Sequence, residues 1–166
     1  KLNPLQKSLF EPRPAEYLFD IENDLWETQN LAADPEYQDV LEKMREKLDE
    51  EVMNSRDVMF LPEYEIALLS DSTNAYEFRM SDENYPLDAI YEAASLCGFR
   101  GKEETAQQIK WLDNPNKIIR YWAILGLCSQ NINDLKSHSE KFAEMMDDEY
   151  LPVGVTAAAI LWELEN

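Results

Sequence analysis

The chain has one histidine and two cysteines from which nucleophilic or metal chemistry could start. His138 lies in a polar stretch, where nothing indicates the buried, oriented imidazole that a Ser/His/Asp arrangement needs. Cys97 and Cys128 fall on apolar helix faces with no basic neighbour in the sequence, which favours small buried side chains over activated thiols. Two cysteines alone make neither a disulfide framework nor a zinc site. These three residues therefore predict no catalytic centre.

Carboxylates are abundant, but their spacing does not match a calcium-binding loop. Acidic residues alternate with other residues near the N-terminus, at Asp20, Glu22, Asp24 and Glu27. A helix-loop-helix calcium site needs glycine at the sixth loop position and glutamate at the twelfth, and the chain has Leu25 and Leu31 there. The sequence does not exclude a pair of carboxylates for glycoside hydrolysis, but among 34 acidic residues no pair stands out.

The charge balance argues against two classes of partner. The chain carries 34 acidic and 15 basic residues, a formal net charge of -19. Nucleic acids and anionic lipids are bound by clustered lysine and arginine, so we expect neither as a partner. No apolar stretch approaches the roughly 20 residues that a membrane-spanning helix requires, so we also expect no membrane span.

The N-terminal part predicts a strand followed by an amphipathic helix. Residues 15–21 are aromatic-rich and bounded by a proline and by polar residues, which is typical of a strand. Asp34-Pro35 is a helix start, and the helix should run to about Asn54. Its apolar stripe comprises Tyr37, Val40, Leu41, Met44, Leu48 and Val52. A lone strand does not fold, so we expect its partner strands in sequence that precedes this chain.

The second half repeats at a helical period. Apolar residues of 87–96 match those of 118–127 at an offset of 31, and those of 120–127 match 154–161 at an offset of 34. Such a period indicates an α-solenoid of stacked helix pairs, with an irregular helical bundle as the alternative. The predicted fold is thus mainly α, preceded by a small α+β piece. The predicted domains are 1–62, a linker with a short helix at 63–84, and helical repeats at 85–166.

Residues Glu11–Ala32 resemble a motif near the C-terminus of bacterial type I sulfatases. The matching residues are Arg13-Pro14, Glu16, Leu18-Phe19-Asp20, Asp24-Leu25-Trp26-Glu27 and Asn30-Leu31-Ala32. Phe19 replaces the usual tyrosine and Leu25 the usual proline. The later segments Leu61–Glu63 and Asn84–Leu87 are similar to sulfatases of the heparan N-sulfatase-like kind, in which HEAT-like repeats follow the catalytic fold. Asp113 and Arg120 lie where such repeats place an Asp–Arg ladder between neighbouring repeats.

This resemblance implies a parent enzyme that hydrolyses sulfate esters or sulfamates on sulfated glycans, glycosaminoglycans included, in the periplasm or outside the cell. Sulfatases use a calcium ion and a formylglycine made within a Cys/Ser-x-Pro/Ala-x-Arg motif. Cys97 precedes Gly-Phe-Arg and Cys128 precedes Ser-Gln-Asn, so neither fits. We therefore expect this chain to be a non-catalytic C-terminal region without a cofactor, whose partner is its own N-terminal sulfatase domain.

Arg13 and Glu16 are the candidates for contact with a sulfated glycan. The alternative for both residues is structural: an ion pair or hydrogen bonds that hold the strand entry. Two other functions remain open at this point, an acidic helical-repeat module that binds basic protein partners and an enzyme complete within these residues.

Overall fold

The computed structural model describes all residues from Lys1 to Asn166, and its regular structure is entirely helical. The chain divides into two compact units, an N-terminal unit of residues 1–55 and a C-terminal unit of residues 56–166. The prediction of a mainly α fold is confirmed. No helix combines the length and the apolar composition that crossing a membrane requires.

The N-terminal unit contains two helices. Helix α1 spans Pro4–Ser8, and Asn3 caps it: its side chain accepts from the backbone N–H of Gln6 at 2.8 Å. A 3-10 turn, Pro35–Tyr37, leads into α2, which spans Gln38–Ser55. Asp34 accepts from the N–H of Glu36 at 3.0 Å, as expected of a residue that caps a helical start.

The predicted strand at residues 15–21 is wrong. This segment is extended, but its backbone pairs with the backbone of a distant segment once, from the N–H of Leu31 to the carbonyl of Leu18 at 2.8 Å. The N–H of Leu18 is not free to pair with a neighbouring strand, because it donates to the side-chain Oδ1 atom of Asn30 at 2.9 Å. A strand requires a continuous row of backbone pairs. The α+β piece is therefore an extended loop packed beside a helix.

The C-terminal unit is an array of helices that begins with a short 3-10 turn at Val58–Phe60. Its helices are α3 (Glu63–Ser70), α4 (Ala75–Arg79), α5 (Leu87–Leu96), α6 (Lys102–Trp111), α7 (Lys117–Leu127), α8 (Ile132–Leu135), α9 (Ser139–Met145) and α10 (Leu151–Glu165). Helix α4 lies in the predicted linker, where Asn74 caps it by accepting from the N–H of Glu77 at 2.9 Å.

Helix α7 is the centre of the C-terminal unit. It packs against α5, α6 and α10, and α10 packs in turn against α8 and α9. Seven of its residues are buried: Ile118, Ile119, Arg120, Ala123, Ile124, Gly126 and Leu127. Small residues bring the neighbouring helices close, since a side-chain carbon at Gly126 would lie 3.2 Å from the Cα atom of Cys97. Two helix pairs, α6–α7 and α9–α10, thus share one core.

Candidate functional site

Glu16, one of the two predicted glycan-contact residues, is held by an arginine of α2. The Nε atom of Arg45 donates to Glu16 Oε1 at 2.6 Å, and its Nη2 donates to Glu16 Oε2. The hydrogen bond from Arg45 is the largest cause of the lowered pKa of Glu16. This bidentate pair ties the extended segment to α2, which is a structural task. Arg13, the other predicted residue, is exposed in the same segment.

Asn30, which the sequence placed in the sulfatase-like motif without a role of its own, organises this unit. Its Oδ1 atom accepts from the N–H groups of Leu18 at 2.9 Å and Ala32 at 3.1 Å. Its Nδ2 atom donates to the carbonyl of Glu16 at 3.0 Å. The hydrogen bonds of this side chain therefore hold residues 16–18 next to residues 30–32. Leu18 and Leu31, one from each segment, form a small buried cluster with Leu41 of α2.

The acidic run between these two segments builds a tight loop. Asp24 accepts from the N–H of Thr28 at 2.6 Å and of Gln29 at 2.8 Å, and the bond from Gln29 is the main cause of its lowered pKa. Asp20 accepts from the side chain of Asn23 at 2.8 Å, which lowers its pKa in the same way. Nowhere in the structure do three or more His, Cys, Asp or Glu residues lie in a position to hold a metal ion.

The N-terminal unit has a large exposed apolar surface. Trp26, at the tip of the loop, is 83% exposed. On α2, the stripe residues Met44 and Leu48 are 57% and 58% exposed, and only Leu41 of this helix is buried. We call the exposed residues of the loop and the helix the apolar surface: Ile21, Leu25, Trp26, Val40, Met44 and Leu48. Val40, Met44 and Leu48 follow one another at four-residue spacing, which places them on one face of α2, and an exposed apolar face marks an interaction surface.

Arg120 forms the most extensive polar contact of the C-terminal unit. Its guanidinium donates to both carboxylate oxygens of Asp148, at 2.8 and 2.9 Å, and both side chains are more than nine-tenths buried. The Nη1 atom donates to the carbonyls of Asn114 at 2.9 Å and Pro115 at 3.1 Å. Arg120 therefore joins the α6–α7 pair to the loop between α9 and α10.

Asp113 and Arg120, the predicted ladder residues, do not contact each other. Asp113 is exposed and accepts from the Nζ atom of Lys141 at 2.6 Å, while Arg120 forms an ion pair with Asp148. The sequence predicted no partner for Asp148. Yet the spacing offers a signal, because both pairs join residues 28 positions apart.

The Asp148 contact predicts a specific acid dependence. Burial raises the pKa of Asp148, but the hydrogen bonds from Arg120 and the N–H of Tyr150 outweigh it and leave the pKa lowered. A lowered folded-state pKa stabilises the protein above the unfolded value near 4, and the contribution is lost as the pH falls through the folded value. We expect the stability difference between wild type and Asp148→Asn to be large at pH 7 and to shrink below about pH 4. Urea midpoints measured from pH 7 to pH 2 test this, and a constant difference would contradict it.

The structure corrects the expectation that both cysteines are buried, because Cys97 is only partly buried and Cys128 is exposed. Burial raises the pKa of the Cys97 thiol to about 11. A thiol with a raised pKa stays protonated near neutral pH and reacts slowly.

Comparison with known proteins gives one partial likeness. A stretch of 67 residues is 42% identical to part of an ulvan-active sulfatase from Formosa agariphila. That stretch covers 40% of this chain and 11% of the length of the relative. Part of this chain is therefore sulfatase-related. No protein-family model matches the chain, and no solved structure matches it.

Most of the polar residues described above have a structural role. Glu16, Asn30 and Asp24 are committed to hydrogen bonds that shape the N-terminal unit. Arg120 and Asp148 are committed to holding helices together. The apolar surface, by contrast, is exposed. It is the feature of the N-terminal unit best suited to contact with another domain or another protein.

Proposed function

We propose that this chain is the non-catalytic C-terminal region of a sulfatase, and that the apolar surface of its N-terminal unit docks onto the catalytic domain. The observation that carries the proposal is the exposed apolar stripe of α2, and the exposed Trp26 of the same unit adds to it. The partial likeness to an ulvan-active sulfatase supports the choice of partner, since the matched stretch is a small fraction of that protein.

The composition of α2 supports docking over solvent exposure. The helix places Met44 and Leu48 on one face, while Lys43 and Glu46 belong to a charged face. A surface helix with such a pattern lays its apolar face on a core. In the N-terminal unit the buried cluster of three leucines covers one end of that face only. The rest of the apolar face of α2 is free to pack against the apolar surface of another domain.

The residues of this chain do not fit the formylglycine and calcium ion of a sulfatase. No cluster of acidic, histidine or cysteine side chains is placed to hold a metal ion. Cys97 lies outside the required motif, and burial raises the pKa of its thiol to about 11. We therefore assign both groups, and the hydrolysis of sulfate esters or sulfamates on a sulfated glycan, to the catalytic domain.

The remaining parts of the proposal concern the C-terminal unit and the location. The pairs α6–α7 and α9–α10 are proposed to be HEAT-like repeats. Their packing on one core and the Arg120–Asp148 contact between them support this assignment. Acidic residues outnumber basic ones in this unit, which disfavours direct contact with a sulfated polymer. A periplasmic or extracellular location follows from the proposed enzyme class.

The docking proposal is tested by two pairs of glutamine substitutions in the full-length sulfatase. Met44→Gln with Leu48→Gln removes apolar area from the stripe, and Lys43→Gln with Glu46→Gln changes the charged face without altering net charge. We expect the stripe pair to lower the stability of the full-length protein by about 2–4 kcal/mol, because two side chains lose apolar burial. The charged-face pair should have an effect below about 0.5 kcal/mol. Differential scanning calorimetry gives both values.

The same substitutions in this chain alone provide the control. Both pairs lie on exposed positions here, so both should melt as the wild type does. Equal effects of the two pairs in the full-length protein would refute docking through α2. Release of sulfate from an aryl sulfate by this chain alone would refute its non-catalytic role.

A further inference from the structure

The helix pair α3 and α4 begins and ends at one fixed place in the C-terminal unit. The guanidinium of Arg56, before the pair, donates to the carbonyl of Arg79 and, at 3.1 Å, to that of Tyr85. The hydroxyl of Tyr85, which is completely buried, donates back to the carbonyl of Asp57. These bonds tie the start of the segment to its end. We call the tied residues, 56–60 and 79–85, the base.

The base is anchored to the core helices. The indole N–H of Trp122, on α7, donates to the carbonyl of Phe60 at 2.8 Å. The ring of Phe60 also packs edge-on against Tyr91 of α5, with 5.1 Å between the ring centroids. Both contacts are made by the turn before α3, so they hold the base without holding α3 or α4 themselves.

The packing of α3 and α4 is loose. Neither helix contains a buried apolar residue, whereas α5, α7 and α10 each contain several. A cavity of about 290 Å³ lies between the two helices and the turn before them, with Leu61, Ile66 and Phe78 among its mostly apolar walls. Empty space of this kind forfeits the dispersion contacts of a close-packed interior. Segments with few buried apolar contacts are those that open locally.

A second cleft separates α4 from the start of α7. It has a volume of about 380 Å³, with Phe78 and Glu83 on the side of α4 and the loop after it, and Ile118 and Glu149 on the opposite side. Glu83 and Glu149 are both exposed carboxylates, and like charges on the two walls repel each other. The cleft therefore adds little attraction between α4 and the core helices.

Glu65 ties α3 to the core helices. Its side chain is only 7% exposed, and its Oε2 atom lies 2.8 Å from the Nζ atom of Lys117, the first residue of α7. Oε2 has no hydrogen-bond partner, so the ion pair with Lys117 is what compensates the burial of this atom. The Lys117 ammonium also lies over the ring of Tyr150, 5.1 Å from its centroid, and Tyr64 of α3 packs against the same ring.

We propose that the α3–α4 pair is a lid, hinged at the base and latched by Glu65 on Lys117, which opens as one unit while α5–α10 stay folded. Opening breaks the ion pair and separates Tyr64 from Tyr150. It uncovers Tyr150, which is 3% exposed when the lid is closed. The lid involves residues different from those of the proposed docking of the N-terminal unit and does not depend on that docking.

Hydrogen exchange of the full chain, followed by mass spectrometry, tests the lid. In the wild type, peptides from residues 63–78 should exchange together and at least about tenfold faster than peptides from α7. Glu65→Gln removes the charge of the latch and keeps the shape of the side chain. It should speed exchange of residues 63–78 by a further factor of about ten or more, while exchange of α7 changes less than about twofold.

Two further variants show whether the latch is specific. Glu63→Gln is the matched control, because it makes the same chemical change at an exposed position in the same turn of α3, and it should leave exchange of residues 63–78 unchanged. Lys117→Gln removes the other half of the ion pair and should act on the same peptides as Glu65→Gln. The two together should accelerate exchange little more than either alone, since they break one interaction.

Three results would overturn the lid. Wild-type exchange of residues 63–78 that is as slow as that of α7 would show that the pair does not open separately. Equal acceleration of both segments by Glu65→Gln would show that Glu65 stabilises the whole unit. Equal effects of Glu65→Gln and Glu63→Gln would show that the ion pair with Lys117 is not the latch.

Discussion

Replacing Arg120 with alanine should lower the stability of the C-terminal unit by about 3–5 kcal/mol. The substitution leaves the carboxylate of Asp148 buried without its bidentate partner, and it removes the donors to two loop carbonyls. A buried charge that loses its partner keeps the cost of desolvation without the compensating attraction. Chemical denaturation followed by circular dichroism measures the change.

Two companion variants separate the loss of the ion pair from a general loss of contacts. Lys141→Ala removes a cation whose partners Asp113 and Glu144 are exposed, so its cost should stay below about 1 kcal/mol. Arg120→Met combined with Asp148→Leu removes both charges and keeps apolar volume. This double variant should recover most of the stability that Arg120→Ala loses. Equal costs for Arg120→Ala and Lys141→Ala would contradict the central position of Arg120.

Replacing Leu127 with alanine should cost about 2–5 kcal/mol. Leu127 is fully buried in α7, the helix on which α5, α6 and α10 all pack. The substitution removes apolar burial and leaves a cavity that packed neighbours fill only in part. Leu68→Ala in α3 makes the same chemical change at a half-exposed side chain, and it should cost less than about 1 kcal/mol. Urea denaturation of both variants gives the comparison, and similar midpoints would show that α7 is not the centre of the core.

Helices with local start signals and strong periodicity could be predicted from the sequence. Asp34-Pro35 and the apolar stripe after it indicated a helix to Asn54, and the structure has a 3-10 turn followed by α2 at Gln38–Ser55. The apolar runs near the C-terminus became α7 and α10. These elements depend on capping and side-chain spacing, which are both local properties of the chain.

The predicted strand failed because pairing is not a local property. Residues 15–21 have the composition of a strand. The side chain of Asn30, however, accepts the hydrogen bond from the N–H of Leu18 that a neighbouring strand would need. Nothing in the spacing of the residues shows that an asparagine 12 positions away will compete for that group. The apolar stripe of α2 shows a related limit of local patterns, since a stripe indicates that a helix has an apolar face but does not show what covers it.

The ion pairs could not be assigned from the sequence either. Asp113 and Arg120 are both structural in the sense of joining helices, but their partners are Lys141 and Asp148. Which acidic residue meets Arg120 depends on how far the α9–α10 pair is shifted along α7. Within that pair the helices approach closely at Gly154, where an added carbon would meet the carbonyl of Met146 at 2.8 Å.

Hydrogen exchange of α2 tests the docking of the N-terminal unit most directly. Mass spectrometry would follow peptides from residues 37–52 in this chain alone and in the full-length sulfatase. Our account predicts that these amides exchange markedly more slowly in the full-length protein, where the catalytic domain covers Met44 and Leu48, while peptides from α7 exchange equally in both. Identical exchange of residues 37–52 in the two proteins would contradict it.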